Sequence, residues 1–464
     1  MVIQRIRQLP ERPPRAAAPG GLHALPLVAV SLGYFMVILD ATIVTVALPA
    51  LGRDLGSNVT GLQWVVDAYT LAFAGLLLLG GSLGDRWGSR AVFQSALVAF
   101  TLASVACGLA PSLGTLVAAR AVQGAGAAAL VPSSLALLQA AYPDRRERAR
   151  AFGVWGGIAG VAAASGPVLG GVLTASISWR AVFLVNVPVG AAALWATWRH
   201  VRTSSRREGA SGIDPVGQLT AVAAIGGLVV ALIQGGERGW RDGLVLAGFA
   251  AFVAFGAAWL LAERRAADPM LPLWLFRRRT LSGGTAVGLL LNLGFYGQLF
   301  VMSLYLQHVR HQSPPLAGIA LLPEALAVFA GSPLSGRVTG RVGPRPPMAA
   351  GMVLGALGFA ALALAQPGTP YPLLVLPMVA AGFGTSFTMP AATVAVMGAA
   401  PADRGGLASG VLNASRQLGG AVGVALLGAL VAAGHPFTAG MHLGMLVAAA
   451  AFAAGAALSW ATVR

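Results

Sequence analysis

The chain has no lysine, one cysteine, six scattered histidines and few charges of either sign, and each shortage excludes a class of chemistry. A lone Cys107 leaves no disulfide pair, CxxC or thiolate metal site. The histidines form no HExxH or comparable spacing, so the sequence offers no metal chemistry. Without lysine there is no phosphate-gripping Walker loop, and no GxGxxG follows a strand pattern, so nucleotide drive within this chain is unsupported. No set of nucleophile, base and orienter stands out, which argues against an enzyme.

What the chain does have is apolar length. Of 464 residues, 56% are hydrophobic and only 10% charged, against about a quarter charged in soluble domains. Mean hydropathy is +0.75, and apolar runs of roughly eighteen or more residues recur from end to end, which is the signature of spanning helices. The net charge of +16 does not indicate nucleic acid, because the 31 basic residues, all arginine, sit between apolar runs and not on a polar, aromatic-studded surface. The Arg- and Pro-rich beginning has no apolar h-region before its prolines, so the first span is expected to act as the insertion signal.

Fourteen spans are predicted, at 25–47, 62–80, 91–110, 114–138, 151–174, 181–198, 216–234, 244–262, 281–304, 316–336, 348–366, 371–396, 406–432 and 441–462. The N-terminal tail, alternate loops and C-terminus hold 24 arginines, and the opposite loops hold five. Basic residues of short loops are retained in the cytoplasm, so both termini are expected there. GSLGDRWGSR (81–90) after span two and GRVTGRVGPR (336–345) after span ten repeat one pattern of Gly and Arg. The fold class expected is an all-α polytopic membrane protein, with two six-helix bundles and two inserted helices, the internal symmetry of one large class of secondary transporters. The layout reads as a cytoplasmic tail (1–24), an N-terminal bundle (25–198), a cytoplasmic linker (199–215), two inserted helices (216–262), a cytoplasmic loop (263–280) and a C-terminal bundle (281–464).

Five charges fall inside spans: Asp40, Asp67, Arg120, Glu324 and Arg416. At 1.5 Å rise per residue, Asp40 lies roughly 22 Å from the cytoplasmic start of span one, and Arg120 and Asp67 roughly 8 to 9 Å from the outer side, at a similar level. Glu324 comes to about 12 Å from outside and Arg416 to about 15 Å from inside. A charge at the bilayer centre costs at least ~2.5 to 3.5 kcal/mol, so these groups should face a bundle interior or a wet cavity and pair where they can. Asp40 with Arg120 reads either as a structural ion pair or as a proton site. Desolvation favours the neutral acid and a neighbouring arginine the carboxylate, so movement of the arginine or of water switches between loaded and released forms. Asp67 and Glu324 have no obvious partner and read as candidates for protons or a cationic substrate, or as plain wall positions. Span five carries a row of small residues, Gly153, Gly156, Gly160, Ala164, Gly166, Gly170 and Gly171, with Pro167 among them, that fits close helix packing.

Together these motifs resemble the major facilitator superfamily, and within it the fourteen-span drug:proton antiporters of the EmrB/QacA type. LDATIVTVALP (39–49) is similar to that branch's span-one signature, GSLGDRWGSR to the loop between spans two and three, RAVQGAG (120–126) to the span-four motif, and GPVLGG (166–171) to the span-five antiporter signature. WRAVFLVNVPVG (179–190), YLQ (305–307) and SPPLAGIALLP (313–323) also look like this branch. The resemblance implies rocker-switch alternating access, export of amphipathic or cationic compounds and proton entry from outside. It implies a proton relay of Asp40 and Arg120 and a gating motif of Gly81, Asp85, Arg86, Gly88 and Arg90. It also implies a leak-limiting motif of Gly153, Gly166, Pro167, Gly170 and Gly171. WVVDAYTL (64–71) sets Asp67 where some multidrug members carry an acid. Gly340 stands where the repeat of Asp85 would be, so the second-half loop lacks its carboxylate.

The expectation is a proton-gradient-driven exporter in the bacterial cytoplasmic membrane, with no cofactor, nucleic acid or ATPase subunit, whose partners are small molecules, protons and lipid. Substrate-cavity candidates are Asp67, Asn292, Tyr296, Gln298, Met302, Glu324 and Arg416. The alternatives are a dedicated exporter of one metabolite, such as an antibiotic, amino acid or siderophore, and a non-transporting membrane scaffold or sensor.

Overall fold

A computed structural model describes residues 24–142, 144–201, 214–266, 271, 273–400, 405–434 and 436–463. The expected 1–24 tail, save Ala24, lies outside them, as do most of the 199–215 linker, part of the 263–280 loop, Arg404 and Arg464.

The apolar runs become helices α1 (Ala24–Leu55), α2 (Val59–Trp87), α3 (Ser89–Gly108), α4 (Leu113–Ala141), α5 (Arg145–Ser176), α6 (Ala181–Leu184) and α7 (Asn186–His200). There follow α8 (Pro215–Arg238), α9 (Gly243–Arg265), α10 (Arg279–Leu304), α11 (Pro314–Val342), α12 (Arg345–Leu362), α13 (Tyr371–Ala399), α14 (Gly405–Ala433) and α15 (Phe437–Thr462). Val185 keeps helical angles (φ −60°, ψ −24°), so α6 and α7 form one span. Among the described residues, 14 helical segments are long and apolar enough to cross a membrane, and the protein is a multi-pass membrane protein.

Helix ends differ from the hydropathy boundaries for a physical reason: polarity marks where the chain leaves lipid, whereas a helix stops where its backbone loses a partner or meets a cap. Thus α5 begins at Arg145, six residues before the expected 151, and α1 runs eight residues past 47, through Pro49, to Leu55. Pro49 cannot donate to the carbonyl of Thr45, and Ser303 of α10 supplies the missing hydrogen bond at 2.7 Å. This extension sets Asp40 near the middle of α1 and not toward its outer end.

The two halves, α1–α7 and α10–α15, pack by the same rule. In the first, α1 lies on α5 and α7, α4 on α2 and α3, and α3 on α7. In the second, α10 lies on α14 and α15, α13 on α11 and α12, and α12 on α15, which are the matching pairs. The loop repeat also matches in conformation: α2 ends at Gly88 (φ +92°) and α11 at Gly343 (φ +79°), each a left-handed backbone that favours glycine. Between the halves the contact is reciprocal, with α2 against α14 and α5 against α11. The inserted α8 packs on α9, α2 and α14, so it lies over one of these two seams.

Candidate functional site

Asp40 and Arg120 meet in an ion pair inside the first half, with 0% and 1% of their surfaces exposed. The pair is the centre of a larger polar network. Gln123, one turn beyond Arg120 on α4, accepts from the guanidinium at 2.7 Å and donates to Asp40 Oδ1 at 2.8 Å. Asn186, at the start of α7, donates to the same oxygen at 3.0 Å. Ser104 on α3 accepts from both Gln123 (2.6 Å) and Asn186 (2.9 Å). Arg120 Nε donates to the Val65 carbonyl on α2 at 2.9 Å, and the guanidinium lies 4.2 Å from the centre of the Tyr69 ring. The network spans five helices, and the carboxylate itself takes charge-assisted bonds, shorter and stronger than neutral ones, from α4 and α7. These bonds offset the cost of burying the two charges, and of the network's side-chain oxygens Asn186 Oδ1 is left without a partner among the described residues.

Arg120 also lines a central cleft between the halves, bounded by Val37, Ile38, Val66, Tyr69 and Phe73 on one side and Tyr296, Gln417 and Gly420 on the other. The pair is thus one side chain away from a cleft that both halves line. A second cleft is walled by Thr42, Ala163 and Pro167 of the first half and by Phe295, Leu299 and Glu324 of the second. Glu324 is buried there, accepts from Gln298 at 3.1 Å through Oε2, and leaves Oε1 without a partner among the described residues.

The other expected cavity residues separate. Tyr296 lines the central cavity and Glu324 the second, whereas Asn292, Met302 and Asp67 are buried and line neither. Arg416 lies on α14 beside Gln417, its Nη2 3.1 Å from the sulfur of Met389. Neither oxygen of Asp67 has a hydrogen-bond partner among the described residues.

The gating motif sits at the arginine-rich end. Asp85 and Arg86 are exposed on the last turn of α2 and form no ion pair among the described residues, while Arg90 Nη2 donates to the Trp198 carbonyl at 2.8 Å. Gly81 lies opposite Pro132 of α4. In the span-five motif, a side-chain carbon on Gly166 or Gly170 would strike Thr42 or the Ile43 carbonyl of α1. One on Gly171 would strike the Pro314 carbonyl, and the Pro167 carbonyl faces Gly318, both on α11. The motif thus packs one helix simultaneously against its own half and the other. Gly153 is on α5, but its surroundings are outside the described residues.

At the arginine-poor end the halves are tied by hydrogen bonds. Gln63 on α2 donates to the carbonyls of Val424 (3.2 Å) and Ala425 (2.8 Å), and Gln307 donates to Val46 O at 3.0 Å. Gln307 belongs to YLQ, which forms a π-helical turn, Tyr305–Val309, continuing α10.

The sequence reading missed Gln123, Asn186, Ser104 and Tyr69 as network members. Three of them stand within the quoted motifs RAVQGAG, WRAVFLVNVPVG and WVVDAYTL, where a polar side chain in an apolar run was the available signal.

Comparison with known proteins agrees with this architecture. The chain is 39% identical over 421 residues to the multidrug resistance protein Stp of Mycobacterium tuberculosis, covering 90% of this chain and 78% of that one. It is 38% identical over 436 residues to the methylenomycin A resistance protein of Bacillus subtilis, covering 94% and 93%. It is 38% identical over 416 residues to the tetracenomycin C resistance and export protein of Streptomyces glaucescens, covering 89% and 77%. A crystal structure of a POT family transporter in complex with a thioalcohol-conjugated peptide shares the fold, with a TM-score of 0.69, 15% identity and 94% of each chain covered. The Major Facilitator Superfamily model matches residues 30–424 and 284–464, and the chain belongs to that superfamily.

Proposed function

We propose that this protein is a proton-coupled antiporter that exports drug-like, amphipathic or cationic small molecules across the bacterial cytoplasmic membrane, with both termini in the cytoplasm. It is a transporter and not an enzyme. Export is supported by relatives named for multidrug resistance, methylenomycin A resistance and tetracenomycin C export. The orientation is supported by the 24-to-5 division of loop arginines.

The observation that carries the proton reading is the buried Asp40–Arg120 network beside the central cavity. In this arrangement Asp40 is an ionised acceptor, because Arg120, Gln123 and Asn186 all donate to it. A proton entering from outside onto Asp40 breaks the pair and frees the Arg120 guanidinium toward the cavity, where its charge opposes a cationic substrate, and loss of the proton to the cytoplasm restores the pair and lets substrate bind again. Alternation of the cavity between the two faces then exchanges protons for substrate by mutually exclusive occupancy, without a bound nucleotide.

The test is export of a fluorescent cationic dye from proteoliposomes with and without an imposed pH gradient. Export that follows the gradient and is lost with Asp40→Asn supports the reading. Full gradient-driven export by Asp40→Asn removes Asp40 from the coupling. A second reading, an exporter dedicated to one antibiotic, is favoured by the relatives named for single compounds; transport of several unrelated dyes would exclude it.

A further inference from the structure

We infer that the substrates of the central cleft are amphoteric, and that Arg416 binds their acidic group, a carboxylate, at the arginine-rich end of the cleft. The inference rests on the transport reading above and deepens it by naming the substrate class and the residue that selects it.

Arg416 sits on the cleft-facing side of α14. Gln417 and Gly420 both line the cleft, and a side-chain carbon on Gly420 would meet the Tyr296 ring and Thr70. Arg416 shares that helical face, four residues before Gly420 and so about 6 Å nearer the start of α14 at the arginine-rich end. Its stem lies beside Gly288 of α10, and its Nη2 is 3.1 Å from the Met389 sulfur of α13. On the opposite wall Tyr34 of α1, one turn below Val37 and Ile38, stacks on Trp155 of α5 with ring centres 3.7 Å apart. The charge of Arg416 reaches the hydroxyls of both Tyr34 and Tyr296, which sets the guanidinium between the two halves at the floor of the cleft.

What Arg416 lacks is an anion. It takes part in neither ion pair among the described residues, its Nε is buried without a partner, and the thioether sulfur that Nη2 meets is a weak acceptor. The helices packed on α14 explain this. Neither α14 itself nor α10, α13 or α15 contains Asp or Glu. Glu237 of α8 is at the outer end, bonded to Asn58, and Asp67 and Asp85 of α2 form no pair with Arg416. Trp155 Nε1, on the opposite wall, is a second buried donor without a partner among the described residues. An arginine inside a membrane bundle is costly unless balanced, so the site calls for a negative charge from a bound molecule.

One guanidinium balances one charge. A planar carboxylate, which only accepts, takes two parallel N–H bonds from its fork, whereas a phosphate dianion would bring one negative charge too many into a poorly solvated place. The rings of Tyr69, Phe73 and Tyr296 flank the body of the molecule, and its cationic part lies toward Arg120 at the other end of the cleft. With Asp40 ionised, Arg120 is neutralised by its pair, and Arg416 leaves the cleft one positive charge in excess. An acidic group therefore gains attraction where a plain cation meets repulsion.

The experiment measures binding of two dyes that differ at one group, a rhodamine that keeps its free carboxylate beside the cationic xanthylium and the same rhodamine as its methyl ester. Fluorescence anisotropy reads their affinities for the full chain in phosphatidylcholine nanodiscs. The wild type is expected to bind the acid about tenfold more tightly than the ester, the worth of one charged hydrogen-bonded contact. Arg416→Gln should remove that preference and leave ester affinity unchanged, and Arg416→Lys should keep most of it. Equal affinities in the wild type overturn the inference, and this arm needs no substitution. A loss of both dyes alike in Arg416→Gln overturns it too, by assigning the residue to packing. A free anion as the partner would make ester binding depend on chloride in the wild type and not in Arg416→Gln, and a lipid phosphate would abolish the preference once phosphatidylglycerol is added; either result overturns it as well. Proton-driven export with equal affinities sinks this inference alone; export indifferent to the gradient sinks the antiport reading and leaves the affinities as they are.

Discussion

Removing the guanidinium of Arg120 tests how much the bundle depends on its buried charge network. Arg120→Gln leaves Asp40 enclosed, with Gln123 and Asn186 as neutral donors at 2.8 and 3.0 Å and no counter-charge. Breaking a buried pair by deleting one partner costs about 3–5 kcal/mol, because the remaining charge is uncompensated. Asp40→Asn should cost less within that range, since the arginine keeps the Val65 carbonyl, Gln123 and the Tyr69 ring. The double substitution removes both charges and their mutual need, so the two single losses should fail to add by about 2–3 kcal/mol. Folded fraction against SDS mole fraction in mixed micelles, by tryptophan fluorescence or circular dichroism, measures all four corners of the cycle. Additivity within about 0.5 kcal/mol would refute the idea that these groups form one energetic unit. Dye export by the same four proteins separates two roles: a purely structural pair predicts that the double variant regains transport along with stability. A coupling role predicts that it regains stability alone.

Three further outcomes follow from particular contacts. Gly171→Ala drives a carbon into the Pro314 carbonyl across the halves and should disfavour the closed contact by about 1–3 kcal/mol, seen as faster thiol labelling of a cysteine placed nearby and slower export. Ser303→Ala leaves the Thr45 carbonyl, freed by Pro49, without its partner, and should cost about 1–3 kcal/mol in the same SDS titration, whereas Ser303→Thr should retain most of the stability. Glu324→Gln should lower export of cationic dyes while sparing neutral ones, because Glu324, with its unpartnered Oε1, is among the described residues the one ionisable side chain lining that cleft; equal loss for both classes would assign Glu324 to packing or coupling.

The spans were legible in the sequence because membrane crossing depends on a one-dimensional quantity, the length of apolar chain. The pairing of Asp40 with Arg120 was legible for a related reason: buried charges are few, and helix rise alone placed these two at one level. Gln123, Asn186 and Ser104 were not identified, since an uncharged polar residue is tolerated on many helix faces and only packing decides which of them converge. The surroundings of Asp67 depended on tertiary contact too. Its depth followed from position on α2, but nothing in the chain indicates that both its oxygens lack a donor among the described residues. The reach of α1 through Pro49 to Leu55 was not legible, because it depends on a serine from the other half that satisfies the carbonyl the proline frees.

The account's central claim, that an inward proton flux drives export, is tested most directly by recording both movements together. Proteoliposomes with an internal pH dye and an external substrate probe, energised by a pH gradient alone, should show substrate movement against its own gradient and a matching proton flow the other way. Both should be lost in Asp40→Asn. Substrate movement at the same rate with the gradient collapsed, or with no accompanying proton flow, would contradict it.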